Sequence, residues 1–135
     1  MVWGAVAGMG FTQIIGMIWY HKYFLGRFWQ RATFPGKTED QINQLVGSTS
    51  HIAFPMTLTA HAALVMMLNY VVGKYLGIKT VESAIKVGIF LWTVVTMTEV
   101  PHLMFAQQSV VAFIINHLYD AAVFVTVCTC LVYFG

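Results

Sequence analysis

The sequence predicts an all-α polytopic membrane protein, with four transmembrane helices in a bundle and an interfacial segment after the first helix. Three observations predict it. Hydrophobic residues make up 59% of the chain and charged residues 9%, where a soluble domain carries about 25% charged residues. Apolar runs cover about 2–20, 51–73, 87–106 and 110–134, each close to the roughly 20 helical residues that a hydrocarbon core requires. All seven basic residues fall outside those runs, as they should if the runs sit in lipid. The 135 residues are thus accounted for by a single transmembrane domain. The net charge of +2 is too small and too dispersed to mark a nucleic-acid surface.

The first run has no basic residue before Lys22, so it reads as a retained helix rather than a secretory signal, which would open with Lys or Arg. Gly4, Gly8, Thr12 and Gly16 recur every four residues. This spacing lays small side chains along one face, where another backbone can approach closely. The expected role is a packing seam through which the chain associates with itself; a glycine-lined pore is the alternative.

Between Trp19 and Trp29 the sequence turns aromatic and basic, WYHKYFLGRFW. Amphipathic rings and cations favour the headgroup region, so Trp19, Tyr20, Tyr23, Arg27 and Trp29 are assigned to the membrane interface, with membrane lipids as partners. An aromatic cofactor box is the rarer use of such a cluster, and the sequence names no cofactor. After Pro35-Gly36, Thr38 with Gln41 forms a capping box, and Ile42, Leu45 and Val46 follow at helical spacing. A short surface helix is expected there, separate from the second span.

Gly16-x-x-Trp19-Tyr20, Phe24-x-Gly26-x-x-Trp29 and an acidic helix start at Glu39-Asp40, with Phe105 and Ile115-Asn116-x-x-Tyr119 further on, resemble the pattern of a family of small four-span membrane proteins of unknown function. The family often has Ser-Pro after the Trp-Tyr pair, where this chain has His21-Lys22. The resemblance implies a four-helix membrane fold and supplies no activity.

The second run carries His61 near its middle and Pro55 in its first turns. Four basic residues (Lys22, Arg27, Arg31, Lys37) lie on one side of the membrane and three (Lys74, Lys79, Lys86) on the other. So small a difference only leans toward a cytoplasmic first loop, and nothing in the sequence names the membrane. Cys128 and Cys130, two apart on one helix, read as apolar fillers.

The third and fourth runs hold the chemistry. Trp92, Thr96, Glu99 and His102 follow at steps of four, three and three, which places them on one helical face. Asn116, His117 and Asp120 share a side of the next helix. Glu99 and Asp120 each lie about ten residues from the connecting turn, so an antiparallel hairpin brings them to one level. His102 and His117 meet nearer the loop, and His61 enters from the same side.

An acid at mid-membrane costs about 2.5–3.5 kcal/mol on insertion scales, so these groups must face the bundle interior or water. Three functions remain open. Glu99, Asp120, His61, His102, His117 and Asn116 could form a proton or cation pathway in a channel or transporter-like bundle. They could instead be a structural network in a subunit of a larger membrane complex. Or His61, Glu99, His102 and Asp120 could hold a metal in a binding or catalytic site, because Glu99-x-x-His102 has the spacing of carboxylate-bridged metal sites, although those use four carboxylates. No reaction motif is present.

Overall fold

A computed structural model of the chain describes residues 2–135. Five helices follow in order: α1 Val2–Trp19, α2 Gly26–Thr33, α3 Glu39–Leu68 with a π-helical extension Asn69–Tyr75, α4 Val81–Phe105 and α5 Val110–Tyr133. Four of them are long and apolar enough to cross a membrane, the short α2 being the exception. No strand occurs among the described residues.

α5 is the hub, packing along both α4 and α1. Its contact with α1 explains the small-residue spacing. A Cβ on Gly4 would stand 2.6 Å from the Cys130 carbonyl oxygen and 2.7 Å from Leu131 Cα, and one on Gly8 would meet Val127 at 3.5 Å. Thr12 is fully enclosed, its hydroxyl donating to the Met9 carbonyl, and Gly16 faces the Tyr119 hydroxyl. The seam is therefore filled by α5 of the same chain. Self-association, expected along this face, would have to use another. The same closeness recurs at a glycine outside any repeat: a Cβ on Gly88 of α4 would lie 2.9 Å from Val125 Cα of α5.

The end of the bundle nearest the N-terminus and the α3–α4 connection is filled by apolar side chains. Val65, Leu68, Val72, Ala84, Val123, Phe124, Val127, Cys128 and Leu131 form one buried cluster there. Both cysteines are free and buried, consistent with their expected role as apolar filling.

The separate surface helix does not exist. The capping box at Thr38 is present, with the hydroxyl accepting from Gln41 N–H and the Gln41 side chain accepting from Thr38 N–H. From there α3 runs unbroken through Pro55 into the second span. The residues between box and span, Gly47-Ser48-Thr49-Ser50, look like a linker by composition. Yet Ser48, Thr49 and Ser50 hydroxyls donate back to carbonyls three or four residues earlier, so their polar groups are satisfied without leaving the helix.

With its extension the helix covers 37 residues, roughly 50 Å at helical rise, against about 30 Å of hydrocarbon. Its C-terminal half is anchored beside α1, where Ala62, Val65 and Met66 meet Ala5, Val6 and Met9. The excess length therefore projects past Trp19 on the side of α2. Residues 43–60 are exposed in the isolated chain. Thr38→Ala should cost about 1 kcal/mol, seen as faster amide exchange confined to the first turns of α3, with the spans unchanged.

Candidate functional site

At the α2 end of the bundle the polar residues line a cleft of about 860 Å³, open to the side and walled by α2, the α4–α5 turn and the facing ends of those helices. Arg31, Glu99, Gln107, Gln108, Asn116 and His117 contribute to its lining. The turn is tight: Gln107 takes a left-handed φ of 52°, and Ser109 caps α5 by accepting from Ala112 N–H. Glu99 lines the same cleft as His117 and Asn116, whereas the hairpin register read from sequence set it level with Asp120.

One turn deeper, His117 Nδ1 lies 3.5 Å from Asp120 Oδ2 and 3.4 Å from Thr96 Oγ1. The His117 side chain is 12% exposed and that of Asp120 38%. The imidazole is held by its own backbone as well, since the Trp92 indole N–H donates to the His117 carbonyl at 2.6 Å. Phe113, one turn earlier on α5, stacks on it with ring centroids 4.1 Å apart. Asp120 and Thr96 thus both approach His117, which lines the cleft.

The other histidines part from this group. His61 looks toward α1, where Gln13 Nε2 reaches its Nδ1 at 3.1 Å and Thr12 Oγ1 at 3.2 Å. An amide NH₂ can only donate, so Nδ1 accepts. His102 is exposed on α4, while its neighbour Leu103 takes the buried position. Among the described residues no group of three or more His, Cys, Asp or Glu side chains is placed to hold a metal ion. His61, Glu99, His102 and Asp120, named as metal candidates from sequence, are thus divided between three faces.

Part of the interfacial segment belongs to the site. Trp19 donates through its indole to the Ile115 carbonyl at 3.0 Å, and the Tyr20 hydroxyl donates to Asn116 Oδ1 at 2.7 Å. Tyr20 packs edge-on against Trp29 at 5.6 Å and Tyr119 at 5.4 Å. Just beyond the end of α1, burial foremost, then the nearby Asp120 carboxylate and Tyr119, pushes the Tyr20 phenol well above its ordinary range. It stays a donor. Tyr23 and Arg27 point outward instead, with the guanidinium 6.0 Å above the ring. Two of the five residues read from composition as an interfacial belt, Trp19 and Tyr20, clamp α1 to α5. The 96-residue separation between each clamping ring and its acceptor hides this from the sequence.

Fold and site together define a small four-span helical membrane protein with a one-sided polar cleft. The chain belongs to the family described as "Protein of unknown function (DUF1761)", whose model matches residues 3–132. No match was found among curated proteins or among solved structures.

Proposed function

We propose that the protein handles protons within the membrane, as a small channel or transporter-like bundle in which Glu99 and Asp120 carry the charge and His117 relays between them. The observation that supports this reading is the cleft itself. It brings Glu99, Asn116 and His117 to one opening wide enough to admit water, with Asp120 beside His117. Neighbouring carboxyl and imidazole groups exchange protons near neutral pH. Arg31 in the cleft wall repels hydrated cations, whereas a proton passes by transfer between groups, so protons are favoured over metal cations. The apolar cluster from Val65 to Leu131 fills the opposite half. Passage through it requires rearrangement, or a second subunit that completes the route.

Glu99→Gln keeps size and hydrogen bonding but cannot ionise. In reconstituted vesicles under an imposed pH gradient, wild type should acidify the lumen and Glu99→Gln should lose at least tenfold of the rate. Wild-type vesicles that move no protons across several pH values and voltages would sink the reading.

The cross-helix bonds from Trp19, Tyr20 and Trp92 to α5 favour a second reading, in which the polar groups hold the helices in register within a larger assembly. In that case Glu99→Gln changes thermal stability and no flux exists to lose.

A further inference from the structure

The polar cleft is lined by two opposite charges from separate walls. Arg31 belongs to α2 and Glu99 to α4, and each of these helices packs on α5. The two do not neutralise each other. Among the described residues the ion pairs are Lys86–Glu82 and His117–Asp120, and neither Arg31 nor Glu99 takes part in one.

The neutral groups around them have bonding capacity to spare. Gln107 and Gln108 are held in the turn by their backbones, whose N–H groups donate to the Met104 and Leu103 carbonyls, so both side-chain amides are left to the cleft. Asn116 uses its Oδ1 to accept from the Tyr20 hydroxyl, which leaves its NH₂ to donate. Trp29, Pro35 and Phe113 supply apolar wall beside these groups. A hollow of about 860 Å³ with a few polar groups set in an apolar wall has the size and make-up of a small-molecule site, for which about 300–1,000 Å³ is usual.

Charge selects the class of occupant. A lone anion drawn to Arg31 meets the Glu99 carboxylate in the same opening, and a lone cation drawn to Glu99 meets the guanidinium. Each is attracted by one wall and repelled by the other, whereas a molecule with both charges is attracted by both. We infer that the cleft binds a zwitterion, a molecule that joins an ammonium to a phosphate or carboxylate, with its anionic end on Arg31 and its ammonium on Glu99. The guanidinium presents a planar fork of donors that matches phosphate or carboxylate oxygens, and the carboxylate accepts from the ammonium. The amides of Gln107, Gln108 and Asn116 serve the polar atoms between the two ends. Because the cleft opens to the side, this chemistry is within reach both as a free solute and as an ethanolamine headgroup of a bilayer lipid. The inference shares Glu99 with the proton reading but does not rest on it, since equilibrium binding requires no proton to cross.

The full chain in a non-ionic detergent would be titrated by calorimetry with glycerophosphoethanolamine and γ-aminobutyrate, which carry both charges, and with glycerol phosphate and ethanolamine, which carry one sign each. A hydrogen bond to a charged group is worth about tenfold or more in affinity, so at least one of the two zwitterions should bind more tightly than either single-sign probe by that factor. Arg31→Gln should weaken that zwitterion about tenfold and strengthen ethanolamine; Glu99→Gln should weaken it equally and strengthen glycerol phosphate. A lost fold weakens every probe, so the reciprocal gains separate binding from stability, and melting temperatures check that both variants are folded. Dioctanoyl phosphatidylethanolamine distinguishes the sources: binding tighter than that of glycerophosphoethanolamine, and weakened by both substitutions, assigns the zwitterion to a lipid headgroup, and equal binding assigns it to a free solute. Wild type that binds neither zwitterion, or binds a single-sign probe as tightly, would overturn the inference. So would zwitterion binding that both folded variants retain. Specific zwitterion binding by a chain that moves no protons in vesicles would remove the proton reading and leave this one standing.

Discussion

Gly4→Leu is expected to prevent folding of the bundle. A β-carbon at that position would lie 2.6 Å from the Cys130 carbonyl oxygen and 2.7 Å from Leu131 Cα, and both neighbours are backbone atoms of a helix that cannot yield locally. Relief requires moving α1 away from α5 along the whole seam, which would also open the contacts at Gly8 and Thr12. Overpacking in a tight core costs about 1–3 kcal/mol when side chains can give way; with only backbone to displace, the loss should reach or exceed the upper end. Gly10→Leu provides the control. It lies on the same helix with nothing within 4 Å of its β position, so its side chain would enter lipid and melting should be unchanged. Thermal unfolding in detergent, with size-exclusion chromatography as a check on dispersity, separates the two. Equal melting temperatures for both variants would show the α1–α5 seam to be misplaced.

His117→Leu should destabilise the protein by about 2 kcal/mol, and Asp120→Asn in the same chain should recover most of it. Removing one member of a fully buried ion pair costs about 3–5 kcal/mol because the remaining charge is left without a partner. Here the Asp120 side chain is 38% exposed and the Nδ1 to Oδ2 distance is 3.5 Å, so a smaller loss is expected. The asparagine removes the charge and hence the penalty. A double-mutant cycle on thermal or chemical unfolding yields the coupling directly, and a value near zero would mean that the two groups act independently. The same variants read the proposed function from another side. If His117 relays protons to Asp120, the double variant regains stability while its flux stays lost; a purely structural pair has no flux in any variant.

Composition and patterning alone establish a helical membrane protein with four long apolar helices. The class and the number of helices follow from the lengths of the apolar runs and the placement of charge outside them, which are properties of the chain read one residue at a time. The sequence also specifies which faces of α1, α4 and α5 carry small or polar groups, because helical periodicity converts spacing into direction. The same periodicity, with a short antiparallel connection, predicted Glu99 and Asp120 at one level and His117 nearer the turn; in the structure Glu99 and His117 line one cleft and Asp120 lies beside His117.

The relations between helices distant in sequence emerge only from how the bundle packs. The spacing of Gly4, Gly8, Thr12 and Gly16 announced a seam but not its occupant, since any helix with an even surface can lie against small residues; the occupant is α5. His61 was expected near the level of the two acids, yet depth leaves rotation about the bundle axis free, and in the structure its ring meets Gln13. His102 shares a face with Glu99 by spacing alone, but α5 covers only part of that face and leaves His102 outside. Trp19 and Tyr20 look interfacial because their composition is interfacial, while their indole and hydroxyl donors are used on Ile115 and Asn116, 96 residues away. Local spacing fixes what a helix offers; which of those offers is taken up depends on the neighbour, and the neighbour is set by the packing of the whole bundle.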